Sequence, residues 1–554
     1  MKTRLSSIEP LEPRIAPASF LVVRTHAVQF AAAGGLAALF NISTDGKTAT
    51  FTDLDGDIVS VAVSKGRLRS ENFIRTTDQN TGRIHLDLLD LTALGQGARF
   101  QGASVTVSVV TPSGDSFGDL AGINARGIDL GRVIVTNGDL GQIDVGDANT
   151  ATPALQLLQS LEMGFSGPGG QIAGQNTVSN IRGPVGAIVL NELLSAFIDV
   201  RGAIGSVSIG NVDATRDSAD FNGSVRASGA IGSVKIGGAF TPDNLTGGAG
   251  DYSGVIWSRT RIGSVLVTGD IVGGAGFDSG SIFAGSPDSA TAPFAQTIGP
   301  AVIYGSIIGG GGENSGTLYA DSGVRNVTVA GSITGGGGKS SGALISGLGF
   351  ASISIRGNLT GGAADNSGSI IAFSGDAPGI VIGGQIVAGN FANSGIFING
   401  TIGTLSFGSA PDAGANATEI RALRGIGTIN VFGDLNDVFV RAGSDIDGVD
   451  RTANASIGTV SITGNFDGGG LIAGGAAGAD GTIFTADDVL FRPDRVSTIL
   501  SRISTVIVGG TLNAFAIEAE QLGLILVGGS ALGLTAGAHN DNFLRGTTVI
   551  KEIA

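Results

Sequence analysis

The sequence predicts an all-β protein, most of it wound as a right-handed parallel β-helix with three sides. Three observations predict it: an apolar strand unit that recurs mostly every 24 to 31 residues, glycine at fixed points inside each unit, and a composition rich in β-branched residues and poor in charge. Glycine supplies 95 of 554 residues, and charged residues only 14%, where an average globular chain carries roughly a quarter. Because 42% of the chain is hydrophobic and no Gly-X-Y period runs through it, neither disorder nor a collagen helix fits. Glycine makes tight corners and β-branched residues fill short strands between them.

Taken in order, residues 1–18 read as an unstructured leader rich in Pro and Glu. Its start is basic (Lys2, Arg4), yet no apolar stretch precedes Ala16-Pro17-Ala18, unlike a standard secretory signal. Residues 19–117 read as a small β-sandwich-like domain. Its stretch 48–63 gives two alternating runs around a turn at Asp55-Gly56, and 103–110 alternates as cleanly. Residues 118–554 read as the β-helix, with an insertion near 474–495.

The repeat carries the β-helix prediction. Ile-Gly-Ser-Val occurs at Ile204, Ile231 and Ile262, and looser copies begin at Ile298, Val324, Phe350, Ala377, Ile402, Ile426, Ile457, Ile503 and Leu522. After this first strand come a glycine, a small or polar residue and an apolar one, as in Gly269-Asp270-Ile271, Gly305-Ser306-Ile307 and Gly331-Ser332-Ile333. A glycine corner and a Ser-Gly pair follow, with the second glycine at 254, 280, 316, 342, 368 and 395, before a third strand. A unit this short has no core of its own and must stack on its neighbours. Val207, Ile209, Val234, Ile236, Val265, Val267 and Ile271 are then expected to point inward. Roughly fourteen coils at the ~4.8 Å strand spacing would make a rod of about 65 Å. Corner glycines are expected to supply positive φ, and the polar residues beside them a hydrogen-bonded ladder.

A net charge of −15 argues against nucleic acid, whose binding depends on Lys and Arg. The absence of cysteine removes disulfides, zinc thiolates and cysteine nucleophiles. No apolar run reaches the 18 or so residues of a transmembrane helix.

Candidate chemistry is sparse. GGAGFDSGS at 273–281 is close to the calcium-binding nonapeptide, but its copies are about 26 residues apart and hold Tyr252, Asp278, Asn314, Ser340 and Asn366 at the acidic position. The 53–57 segment, DLDGD, has the oxygen density calcium favours without the spacing of an EF-hand, and reads as a turn. In the insertion, Asp480, Asp487 and Asp488 put three carboxylates on one loop and are the candidate calcium ligands; calcium is the one cofactor considered. An enzyme on this fold would be a polysaccharide lyase or glycoside hydrolase, with two or three acids at one phase of adjacent coils. The corner acids instead give way to Ser or Asn a coil or two away, and His26, His85 and His539 are scattered. Tyr252 and Trp257 share one coil, with Tyr304, Tyr319 and the basic pair Arg259 and Arg261 nearby in sequence. A cleft joining Tyr252 and Trp257 to acids would indicate carbohydrate binding; a flat surface of small residues would indicate scaffolding.

Leu11-Glu12-Pro13-Arg14-Ile15-Ala16-Pro17-Ala18 resembles the N-terminal LEPR motif of exported β-helix repeat proteins of Planctomycetes and Verrucomicrobia. The run from Asp129 to Asp144, the Ile-Gly-Ser-Val coils and the 480–488 loop are also similar to that group, which extends the resemblance over most of the chain. The Ile-Ala-Pro-Ala ending departs from the commoner Leu-Leu-Ser-Ala. The resemblance implies export and a surface or matrix role, with no catalytic residues to transfer. The expected function is that of a non-catalytic extracellular or cell-surface solenoid, structural or adhesive. Its expected partners are envelope or matrix polysaccharide or other surface proteins.

Overall fold

A computed structural model describes residues 40–553 except 55, 79–80, 112–117, 119, 165–176, 195, 216–219, 239–242, 286–295, 390–393, 412–416, 478, 480–482, 485–487, 492, 494–498, 536 and 546–547. The leader therefore lies outside the described residues. From Ala103 onward the chain winds mainly as a parallel β-solenoid, with most strands hydrogen-bonded to their counterparts in the next coil.

Three faces enclose one aliphatic bore. On the first, Val207 pairs with Val234, Val265, Ala301 and Val327 in successive coils. On the second, Val212, Leu245, Ile271, Ile307, Ile333 and Leu359 follow one another. On the third the column is Val225, Ile256, Ile282, Leu318, Leu344 and Ile370. All the residues expected to point inward are buried in this one cluster. Each buried Val or Ile contributes about 1.5–3 kcal/mol of transfer free energy, which becomes available only when the next coil covers it.

The sequence repeat is also the structural register. Ile204, Ile231, Ile262, Ile298, Val324 and Phe350 pair in turn, and so do Ala377, Ile402, Ile426, Ile457, Ile503 and Leu522. The long step from Ile457 to Ile503 keeps the rung intact, so the insertion leaves the coil without interrupting the bore. It leaves through a short antiparallel pair, Gly475–Ala476 with Val489–Leu490.

The polar corner ladder is present where the first face turns into the second. The backbone N–H of Asp270 donates to Asn244 Oδ1 at 2.8 Å, that of Ser306 to Asp270 Oδ1 at 2.6 Å, and that of Ser332 to Ser306 Oγ at 3.1 Å. Asn358 then donates to Ser332 Oγ at 3.0 Å and Gln385 to Asn358 Oδ1 at 2.8 Å. The glycines here correct the expectation of positive φ. Gly305 and Gly331 are absent from the positive-φ set. They are small because a Cβ on Gly305 would lie 2.2 Å from Asp270 Oδ1, and one on Gly331 2.3 Å from Ser306 Oγ. The ladder atom itself occupies the space.

Positive φ belongs to the second corner. The Ser-Gly glycines 254, 280, 316, 342 and 368 have φ between 60° and 65°, and Gly395 also has a positive φ, of 152°. The serine before each glycine staples the corner: Ser279 Oγ accepts from Gly274 N at 3.0 Å and donates to Gly276 O at 2.8 Å, as Ser315 does with Gly310 and Gly312.

Both ends change character. At the N-terminal end Phe40–Ile42, Thr48–Thr52, Ile58–Val63 and Ala103–Thr111 run antiparallel, as do Phe73–Thr77 and Ile84–Asp90. This N-terminal module continues the sheet of the solenoid and shares its core with the bore. Its Ile84–Asp90 and Ala103–Thr111 strands pair in parallel with the first coil. At the C-terminal end two antiparallel hairpins fold back, Gln521–Val527 with Ser530–Ala531 and Asn542–Arg545 with Thr548–Glu552. Buried carboxylates tie them down: Glu552 accepts from the backbone N–H of Leu522 at 2.8 Å and of Asn540 at 2.7 Å.

Candidate functional site

Of the three sequence-derived calcium positions, only Asp488 lies among the described residues. Asp480 and Asp487 lie outside them. Asp488 is 1% exposed, and its carboxylate accepts the Phe484 backbone N–H while its carbonyl accepts Lys551 Nζ at 2.8 Å. No group of three His, Asp or Glu able to hold a metal occurs among the described residues. In the 53–57 segment, Asp53 Oδ1 accepts the N–H groups of Gly56 and Asp57 at 3.0 and 2.7 Å, closing the hairpin as a turn.

The calcium-like corner position has a backbone explanation. Tyr252, Asp278, Asn314, Ser340 and Asn366 all adopt the left-handed conformation, with φ from 53° to 58°. Asn and Asp tolerate that region better than other residues with a Cβ, which accounts for their recurrence here. Asn366→Ala is therefore expected to lower stability by about 1 kcal/mol, whereas Asn366→Gly stays near the wild type; paired urea midpoints check this.

His85 and His539 sit at opposite ends of the rod. His85 Nδ1 is 2.7 Å from Asp87 Oδ1 in the N-terminal module, and His539 Nε2 is 3.2 Å from Glu520 Oε1 in the C-terminal hairpins. His26 lies outside the described residues. Arg259 and Arg261 are exposed on their corner, and Tyr304 is 62% exposed.

What does come together lies on the outer surface of the third face. Alternation along a strand sends every second side chain outward, and parallel register places those side chains in one column. The column opens with Asp90, Asn124, Asp144, Asn180 and Asp199. Carboxylate and amide alternate, so each amide bridges to an acid: Asn124 Nδ2 donates to Asp90 Oδ1 at 3.0 Å and Asn180 Nδ2 to Asp144 Oδ1 at 2.9 Å.

Arg226 follows, bonded to Asp199 at 2.9 Å, and from there the column turns aromatic: Trp257, Phe283, Tyr319. Arg226 lies over the Trp257 ring at 5.4 Å and the Phe197 ring at 5.1 Å. Phe283 and Tyr319 stack at 4.7 Å with planes 4° apart. From the adjoining corner, Phe221 and Tyr252 stack at 5.1 Å, and Phe277 meets Tyr252 edge-on at 5.5 Å. Trp257 Nε1 donates to Gly285 O at 2.9 Å and the Tyr319 hydroxyl to Asp321 Oδ1 at 2.5 Å, so both rings are held by their polar ends.

Between these rings is a hollow of about 110 Å³, lined by Tyr252, Trp257, Phe277, Phe283 and Tyr319 with Asp278, Asp321, Asn314, Ser281 and Thr317. Burial against the rings pushes the Asp278 carboxyl up to about 7; a hydrogen bond from Asn314 opposes this, and the Glu313 and Asp251 carboxylates add to it. The Tyr319 phenol is pushed well above its ordinary range by burial and by Asp321.

Beyond Tyr319 the same column is covered. Ile345, Ile371 and Phe397 form a second apolar cluster outside the bore, with Ile446 packed on it from the 444–451 loop. Next come Arg421 and Arg441, then Ile472, on which Phe484 of the insertion packs. Phe484 also meets Phe439 at 4.7 Å.

Sequence reasoning named Tyr252, Trp257, Tyr319, Asp278 and Asn314, but not Phe277, Phe283 or Asp321. A signal was present: Trp257, Phe283 and Tyr319 each stand three residues after a Ser-Gly glycine, at 254, 280 and 316. No family model, curated protein or solved structure matches this chain. Fold and site nonetheless define a class: a parallel β-solenoid bearing an aromatic hollow with two carboxylates on one lateral face.

Proposed function

We propose that the protein is a non-catalytic extracellular or cell-surface β-solenoid with a structural or adhesive role, and that its third face engages envelope or matrix polysaccharide. One observation carries the reading: Tyr252 and Trp257 share a concave site with acids, and that site opens sideways on a rigid rod. Aromatic rings with a few fixed polar groups suit the apolar faces and hydroxyls of sugars. The LEPR-type leader supports export. No helix among the described residues is long and apolar enough to cross a membrane.

Retention on insoluble polysaccharides and on a glycan array tests the proposal. Truncating a central tryptophan at a binding surface costs about 2 kcal/mol, so Trp257→Ala is expected to weaken retention roughly thirtyfold with an unchanged circular dichroism spectrum. Equal retention of both proteins, or retention of neither, would remove the reading.

A glycoside hydrolase or lyase is the second reading, favoured by Asp278 and Asp321 lining one hollow with Asp278 held partly protonated near neutrality. Asp321 is engaged by the Tyr319 hydroxyl, and no third acid lines the hollow among the described residues. Release of reducing ends or unsaturated products from the retained glycan, lost in Asp278→Asn, would favour this reading over the first.

A further inference from the structure

We propose that the hollow on the third face is a binding site for an organic ammonium group, a positive charge wrapped in carbon, held by the Tyr252, Trp257 and Phe283 rings and the Asp278 and Asp321 carboxylates. Ring faces attract cations through their quadrupole, and the attraction strengthens where water is excluded. A trialkylated ammonium also presents the apolar surface that a hollow of this kind favours. About 110 Å³ is well below the ~300–1,000 Å³ of a pocket for a whole ligand, so it suits a single headgroup.

Two further observations point to a cation. The band already uses its rings this way, since the Arg226 guanidinium lies over Trp257 at 5.4 Å and over Phe197 at 5.1 Å. Carboxylates dominate the charge at the hollow: Asp278 and Asp321 line it, Asp251 and Glu313 act on Asp278 from the neighbouring corners, and the Arg226 charge on the Trp257 ring is paired with Asp199. An anionic ligand would meet all four, and the −15 net charge of the chain opposes it as well.

The pH dependence follows with a definite sign. In the folded protein Asp278 holds its proton up to about 7, facing Asp251, Glu313, Asn314, Tyr319 and Asp321. The unfolded chain releases that proton near the ordinary carboxyl value of 3.8. Between these values the folded state binds more protons, so this group lowers stability as pH rises and its full cost is present above about 7. A bound cation offsets the cost only when Asp278 is ionised, and so binds more tightly above neutrality.

Tetramethylammonium chloride is the probe, since its charge is independent of pH; sodium chloride at equal ionic strength is the reference. Calorimetric or NMR titration of the full chain is expected to show affinity roughly tenfold higher near pH 8.5 than near pH 5.5. Asp278→Asn keeps the fold, because Asn314 and Asn366 occupy the same place in later coils with φ of 54° and 58°. It is expected to weaken binding at the higher pH roughly tenfold and to abolish the pH dependence. Absence of binding at both pH values, or binding untouched by Asp278→Asn, overturns the proposal. Free choline and choline displayed on phosphatidylcholine vesicles then separate a small-molecule source from a lipid surface; binding of either supports the site, and failure of both overturns it. Glycan retention by Asp278→Asn is scored separately, so the polysaccharide reading and this one fail independently.

Discussion

Gly336→Ala is expected to destabilise the protein by about 3 kcal/mol, while Gly337→Ala, one residue on, changes stability by less than about 0.5 kcal/mol. At the second corner the coils approach closely through backbone. A Cβ on Gly336 would lie 2.2 Å from Gly310 O and 2.5 Å from both Gly309 C and Gly309 O. These are backbone atoms of the preceding coil, so no side chain can rotate away, and the coil must shift along the stacking axis. That shift would disturb the Ser341 staple, which accepts the Gly336 N–H at 3.0 Å, and would loosen the Ile307–Ile333 rung beside it. Gly337 is exposed, and its nearest neighbour from a substituted Cβ is Gly311 Cα at 3.9 Å. Urea midpoints of the two variants check the contrast. Amide hydrogen exchange is expected to show lost protection spreading to the coils on either side, because each repeat is stabilised chiefly by its neighbours.

Asp450→Ala is expected to cost about 3–5 kcal/mol, the range for leaving a buried charge without its partner. Arg421 and Arg441 are successive rungs of the outer column, 4% and 7% exposed. Two stacked guanidinium groups repel, and burial with the neighbouring Arg441 pushes Arg421 down to about 10. Arg441 is compensated from the 444–451 loop and Arg421 from its own strand. Asp450 Oδ1 bonds Arg441 at 2.6 Å and also accepts from Ser444 Oγ at 2.6 Å, while Glu419 pairs with Arg421. Asp445, bonded to Arg451 at 2.6 Å, accepts the N–H groups of Asp447 and Val449 and holds the loop in shape. Thermal and urea denaturation of Asp450→Ala measure the loss. The double variant with Arg441→Met is expected to regain most of it, because the uncompensated charge is then gone. A double variant as unstable as the single one would show that the loop, and not the ion pair, carries the energy.

The bore was legible because its requirement is uniform. Every inward rung needs an aliphatic residue, so Ile204, Ile231 and Ile262 repeat in sequence and pair in space. Outward rungs share only a position. Arg226, Trp257, Phe283 and Tyr319 have little in common chemically, and a search for repeated residue types passes over them. The fixed offset from the Ser-Gly glycines locates them, but only once the corner is known to hold one conformation in each coil. The calcium-like pattern has its cause in the backbone: Asp278 and Asn366 satisfy a left-handed conformation, a demand that a motif written in residue names does not express. The covers on the column were harder still. Ile446 and Phe484 reach Phe397 and Ile472 from a loop and an insertion whose sequences carry no period.

The antiparallel ends of the rod bear on how one copy could stack on another. Stacked parallel coils end in a row of unsatisfied amide and carbonyl groups, a template on which another copy could continue the winding. Here Ser530–Ala531 and Asn542–Arg545 fold back across one end, and the strands from Phe40 to Val63 turn across the other. Among the described residues, these strands present an antiparallel register where continued winding on the same faces would need a parallel one. Continued winding by a second copy would first have to displace these strands.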